Sequence, residues 1–109
     1  MDFTDYQDAV STTAVYPNVG SNFVYPALGL CGEAGEVAEK IKKVLRDKAG
    51  VLDEETRAAL KKELGDCLWY VARLSSELGF SMAEVAEGNI EKLRSRKARG
   101  TLQGSGDNR

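Results

Sequence analysis

Apolar residues recur every three or four positions through most of this chain, the spacing of one face of a helix. No alternating, strand-like run and no internal repeat stands out. Four helices are predicted. The first covers roughly 3–13, with Phe3, Tyr6 and Val10 on one side, and ends before "VYPNVGSN", where Pro17, Asn18 and Gly20 mark a loop. The second runs from about Phe23 to Arg46 on the stripe Leu30, Ala34, Val37, Ile41 and Val44. Pro26 fits its first turn, and Lys42, Lys43 and Arg46 suit the negative end of its dipole.

The third helix is expected to take Asp53 as its N-cap and to run to about Leu78, with Gly79 just beyond. Its stripe is Leu60, Leu64, Cys67, Val71, Leu74 and Leu78. The fourth is expected to begin at Ser81, where "SMAE" has capping-box spacing, and to stop at Gly100. The expected fold is therefore all-α, a helical bundle of about four helices in a single domain over residues 1–100. Residues 101–109 read by composition as a flexible Gly-rich tail. Trp69 points off the third stripe, so its face must also be covered. A subunit interface is the first expectation there, a packed loop or tail the alternative.

Composition narrows the chemistry. The chain has 109 residues, 42% of them hydrophobic, and a net charge of −2, so no nucleic-acid polymer partner is expected. No stretch approaches the roughly 18–20 apolar residues of a membrane span, and the first ten residues do not read as a signal peptide. A cytoplasmic location is expected. There is no histidine, which removes the commonest general base. The two cysteines, Cys31 and Cys67, read as buried reduced thiols, and no zinc ligand set exists.

Carboxylates remain. Glu33 and Glu36 are three apart on the second helix, Glu63 and Asp66 three apart on the third, and Tyr70 lies one turn beyond Asp66. Both pairs sit on the shoulder of their apolar stripe. If the stripes pack together, four like charges face each other across a groove and need something positive between them. Mg²⁺ or Mn²⁺ suits an all-oxygen set. Gly32 and Gly35, each costing about 1 kcal/mol relative to Ala in a helix, suggest close approach of something bulky. E-x-x-E is also common on solvated faces, and Lys40, Lys43, Lys61 and Lys62 could partner these acids instead.

"GEAGEVAEKIKK", followed by "LKKELGDCLWYVARLSSELG" and "NIEKLRSR", resembles the MazG-like nucleoside triphosphate pyrophosphohydrolases of the all-α NTP pyrophosphatase superfamily. Their signature is E-x-x-E on one helix and E-x-x-D on the next, and the resemblance covers roughly residues 23–100. It implies a bundle assembled as a homodimer or a dimer of dimers. The implied reaction converts a (d)NTP and water to the (d)NMP and pyrophosphate, with two or more Mg²⁺ (or Mn²⁺) per site. Glu33, Glu36, Glu63 and Asp66 match the metal ligands, and Glu33 or Glu36 would also help deprotonate the attacking water.

Tyr70, Asn89, Lys92 and Arg96 match positions that meet phosphate and sugar. Lys92 and Arg96 share a helix face and can grip phosphate oxygens, although basic residues also simply favour a helix C-terminus. Tyr16, Asn18, Asn22 and Tyr25 offer rings and amides for a base. The tail resembles the ending of a small branch associated with phages and bacteria. Its Asp107 and Arg109 are candidate contacts if it folds over a site, its own or a neighbour's. Phosphoribosyl-ATP pyrophosphohydrolase is a close alternative, and a non-catalytic oligomeric helical module whose acidic groove binds a basic partner is a distant one.

Overall fold

The computed structural model describes all of residues 1–109. It contains α1 (Phe3–Ser11), α2 (Val24–Asp47), α3 (Glu54–Glu77) and α4 (Met82–Ala98), and no strand. No helix is long and apolar enough to cross a membrane.

Local chemistry accounts for most of the boundaries. Asp2 and Asp5 form a reciprocal capping box at α1. The Asp53 carboxylate accepts the Thr56 N–H at 2.8 Å at the start of α3. Ser81 Oγ accepts the Glu84 N–H at 3.0 Å, so the Ser81 half of the expected capping box is made, while no return bond from the Glu84 side chain accompanies it. α2 has no side-chain cap on Phe23; Asn22, one residue earlier, accepts the Tyr25 N–H at 3.1 Å instead. Gly79 (φ +82°) and Gly100 (φ +71°) end α3 and α4 in the left-handed region. In each case the two residues after the cap bond back to the last turn, Phe80 N–H to Ser75 O and Thr101 N–H to Arg96 O.

α2 and α3 form a long antiparallel hairpin; α1 and α4 pack on α3, and α4 does not meet α2. The most buried cluster is Val10, Ala72 and Met82, flanked by Tyr6, Trp69 and Val71, where α1, α3 and α4 converge. Gln7 fastens that junction. Its amide nitrogen donates to Ser76 Oγ (2.9 Å) and Phe80 O (3.1 Å), and its oxygen accepts the Met82 N–H (2.9 Å).

The α1–α2 loop packs on Trp69, the alternative expected for its face. Its Nε1–H donates to Thr13 Oγ1 at 2.8 Å, and the Tyr16 ring meets it edge-on at 6.4 Å. The same loop is anchored by Glu77, whose side chain is wholly enclosed. It accepts the Tyr16 hydroxyl (2.5 Å) and the Gly20 and Asn22 N–H groups (2.8 and 3.1 Å). Arg73, one helical turn earlier and also buried, completes the cluster through its Nε–H to Tyr16 Oη at 3.0 Å and a 3.4 Å ion pair with Glu77.

The hairpin stripes are only partly covered. Val44 is buried, and Leu30, Val37, Cys67, Val71 and Leu74 are half-buried, whereas Ile41, Leu64 and Leu78 are exposed. Cys31, expected inside, is exposed and free. The radius of gyration is 16.8 Å, against about 13 Å for a compact domain of this length. The single chain is therefore an open arrangement with apolar surface to spare.

The Tyr16 hydroxyl, with the Gly20 and Asn22 amides and Arg73, holds the Glu77 carboxyl down at about 2, from an ordinary 4.5. A depressed native value contributes stability above the ordinary one that is lost as pH falls toward the native one. Glu77→Gln should lower stability at pH 7 by about 3–5 kcal/mol, because Arg73 is left buried without its charge partner. It should also flatten the loss of stability between pH 5 and 2 (approximate bounds set by the two values). Urea unfolding at a series of pH values measures both.

Candidate active site

The pairing of α2 with α3 sets the site. Gly29 lies against Tyr70, Glu33 against Glu63 and Asp66, and Lys40 against Glu63, as the two helices run in opposite directions. A Cβ at Gly29 would overlap the Tyr70 ring, so this glycine, not Gly32 or Gly35, is where close approach is required. Nothing in the chain comes within 4 Å of a Cβ placed at either of the latter two.

One oxygen each from Glu33, Glu63 and Asp66 lie within 4.8 Å of one another. Burial raises the Glu33 carboxyl above its ordinary range, and a hydrogen bond shared with Glu63 and the charges of Asp66, Glu63 and Glu36 push it the same way. Like charges gathered this closely favour the arrival of a cation between them. The donor set is oxygen throughout and suits a hard divalent cation. Cys67 stands next to it, but burial first, and then these same negative charges, raise its thiol and keep it from acting as a thiolate ligand.

Glu36 is exposed and lies outside the triplet, though its charge reaches Glu33. Lys40 pairs with Glu63 at 3.2 Å, so one of the lysines weighed as a partner for the acids does take that role.

Beside the triplet is an open cleft of about 280 Å³ lined by Glu33, Asp66, Trp69 and Tyr70. A larger depression of about 350 Å³, lined by Met1, Asp2, Phe3, Tyr6 and Leu68, is mainly apolar and carries none of this chemistry. Trp69 and Tyr70 meet edge to face at 5.0 Å, and Tyr25 lies 6.3 Å from Tyr70. Burial, and then the neighbouring Tyr25 hydroxyl, push the Tyr70 hydroxyl upward. It stays protonated at neutral pH and can donate.

The candidate base-binding residues divide. Tyr16 is buried, bonded to Glu77 and Arg73, and stacked on Tyr25 at 4.7 Å. Asn22 spends its amide on Pro17 O and its oxygen on the Tyr25 N–H. Asn18 is an exposed turn residue with φ +56°. Of the four, only Tyr25 combines an exposed surface with a place beside Tyr70.

The basic residues of α4 stand apart from the triplet. Lys92 and Arg96 form no ion pair with the four carboxylates, and Asn89 is exposed. Both cations instead engage the tail, Lys92 at 3.2 Å and Arg96 at 3.4 Å from Asp107 Oδ1. Arg109 folds the tail on itself with bonds to the Thr101, Leu102 and Gly106 carbonyls.

Two antiparallel helices thus hold an acidic, all-oxygen cluster beside an open, aromatic-walled cleft, the site of an all-α protein with an acidic signature on each helix of its hairpin. The family model of the MazG nucleotide pyrophosphohydrolase domain matches residues 26–100. This chain belongs to that family of nucleotide pyrophosphohydrolases. It is 51% identical over 109 residues to the "Gene 37 protein" of Mycobacterium phage L5, covering 95% of this chain and 96% of the phage protein. No solved structure matches the chain significantly.

Sequence reasoning missed Glu77, Arg73 and Gly29. The first two were open to detection as an i,i+4 acid–base pair on a largely apolar stretch. Gly29 carries no local signal, because its partner Tyr70 is distant in sequence.

Gly29→Ala should destabilise the protein by about 1–2 kcal/mol, since Tyr70 is hemmed in by Trp69 and Tyr25 and cannot yield freely. Gly32→Ala and Gly35→Ala should instead stabilise the helix by up to about 1 kcal/mol each. Denaturant midpoints of the three variants test the contrast.

Proposed function

We propose that this protein is a divalent-metal-dependent nucleoside triphosphate pyrophosphohydrolase, converting a (d)NTP and water to the (d)NMP and pyrophosphate. The observation that carries the reading is the convergence of Glu33, Glu63 and Asp66 oxygens from two helices within 4.8 Å. Glu33, Glu63 and Asp66 would hold Mg²⁺ or Mn²⁺, with Glu36 joining from the next turn of α2. The cation, when bound, supplies the charge that lowers the pKa of a water and screens the polyphosphate.

The chain's own residues have separable roles. Glu33, half-buried beside Glu63 and Asp66, is suited to accept a proton as water attacks the α-phosphorus. Tyr70 donates to a phosphate oxygen from the cleft wall. The exposed part of Tyr25 is available to stack on a base. Asn89, Lys92 and Arg96 would bind sugar and phosphate.

α4 does not meet α2 within one chain, and the hairpin leaves Ile41, Leu64 and Leu78 exposed. Both facts favour a homodimer or dimer of dimers in which a second copy covers the stripes. A bacterial cytoplasm, with the gene carried by a phage, is the setting that fits.

With Mg²⁺ or Mn²⁺, purified protein should release pyrophosphate, and not orthophosphate, from at least one of the eight common nucleotides. Glu33→Gln and Asp66→Asn should each lower kcat by about 100-fold or more, since loss of even outer-shell partners of metal ligands costs 10–100-fold. Turnover that survives chelation, or release of orthophosphate alone, refutes the assignment. Light scattering on the same sample should give a dimeric or tetrameric mass, and Leu64→Glu should shift it toward monomer.

A further inference from the structure

The C-terminal tail occupies the cationic face of α4. Arg96 is 4% exposed, and its Nη2 is shared among Asp107 O (2.7 Å), Gly106 O (3.4 Å) and Asp107 Oδ1 (3.4 Å). Its buried Nε has no hydrogen-bond partner. Lys92 Nζ donates to the same Asp107 Oδ1 at 3.2 Å. A guanidinium enclosed with one N–H unmatched is poorly satisfied, because a planar fork is best met by an anion with several oxygens.

Asp107 differs from its partners. Its side chain is 84% exposed, so little besides the two cations retains it. Those cations, Lys92 foremost, hold its carboxyl below the ordinary range, so it is charged at neutral pH. The surrounding backbone is built to return. Gly104 (φ +124°) and Gly106 (φ +85°) turn the chain back, and Arg99 Nη2 donates to the Arg109 carbonyl at 2.9 Å.

We propose that Asp107 is an internal stand-in for substrate phosphate, and that residues 101–109 form a strap which an incoming polyphosphate must displace from Lys92 and Arg96. This rests on the reading that those two residues receive phosphate. A single exposed carboxylate brings one charge and two oxygens, whereas a pyrophosphate moiety brings more of both, so exchange favours the phosphate. The strap keeps the guanidinium out of bulk water and spares the free protein an unpaired cationic face. It also makes binding competitive, and therefore weaker than the cations alone would give.

The test uses the full-length protein with Mg²⁺ and inorganic pyrophosphate as probe. Asp107→Asn should bind pyrophosphate about two- to fivefold more tightly, the scale of an exposed ion pair. In the wild-type protein, ¹⁵N relaxation should show the Gly104, Gly106 and Asp107 amides becoming mobile on saturation. Unchanged or weaker binding in the variant, tail amides that stay ordered, or no pyrophosphate binding by either protein overturns the proposal. Failure of the hydrolase reading looks different. Pyrophosphate would then still release the tail while no nucleotide is turned over. A working hydrolase whose tail never moves removes the strap alone.

Discussion

The antiparallel packing of α2 on α3 is the constraint from which the rest follows. Acids three apart share one helix face, so whether they meet acids on a second helix depends on the register of the two. The contact of Gly29 with Tyr70 fixes that register, because any larger residue would drive the ring outward. With Tyr70 seated there, Asp66 comes one turn earlier on α3 as Glu33 comes one turn later on α2, and their oxygens converge. The electrostatic cost of that convergence is what makes the place useful. Carboxylates held together by helix packing, and not by each other, attract any cation able to reach them.

A second fastening works through the opposite electrostatic arrangement. Glu77 is fully matched, receiving a phenol, two backbone amides and a guanidinium. It therefore ionises readily, while the crowded Glu33 resists ionisation. The first ties the α1–α2 loop to the end of α3, the second waits for a ligand. The loop in turn brings Tyr16 and Tyr25 against Trp69 and Tyr70, so the wall of the cleft depends on an ion pair outside it.

Much of this was legible in the sequence. The helix limits followed from Asp53, Ser81, Gly79 and Gly100, residues whose local chemistry has few alternatives. The acidic signature stood out because the same three-residue spacing occurs on two successive helices and matches a family resemblance. What the sequence hid was long-range. Tyr16 and Asn22 looked free to read a base, but they are committed to Glu77 and to the α2 N-terminus. Nothing local in the sequence reveals that Thr13 would bond to the Trp69 indole. Periodicity gives the face a residue occupies, and leaves unspecified what arrives to cover it.

Trp69 has one more implication. It is the only tryptophan in the chain, its indole N–H is tied to a threonine hydroxyl, and its ring borders the cleft beside Glu33 and Asp66. An indole so placed is a built-in fluorophore, whose emission responds to charge and water within a few ångströms. Occupancy of the cleft can thus be followed optically in the unlabelled protein, with no second emitter of its kind to confuse the signal.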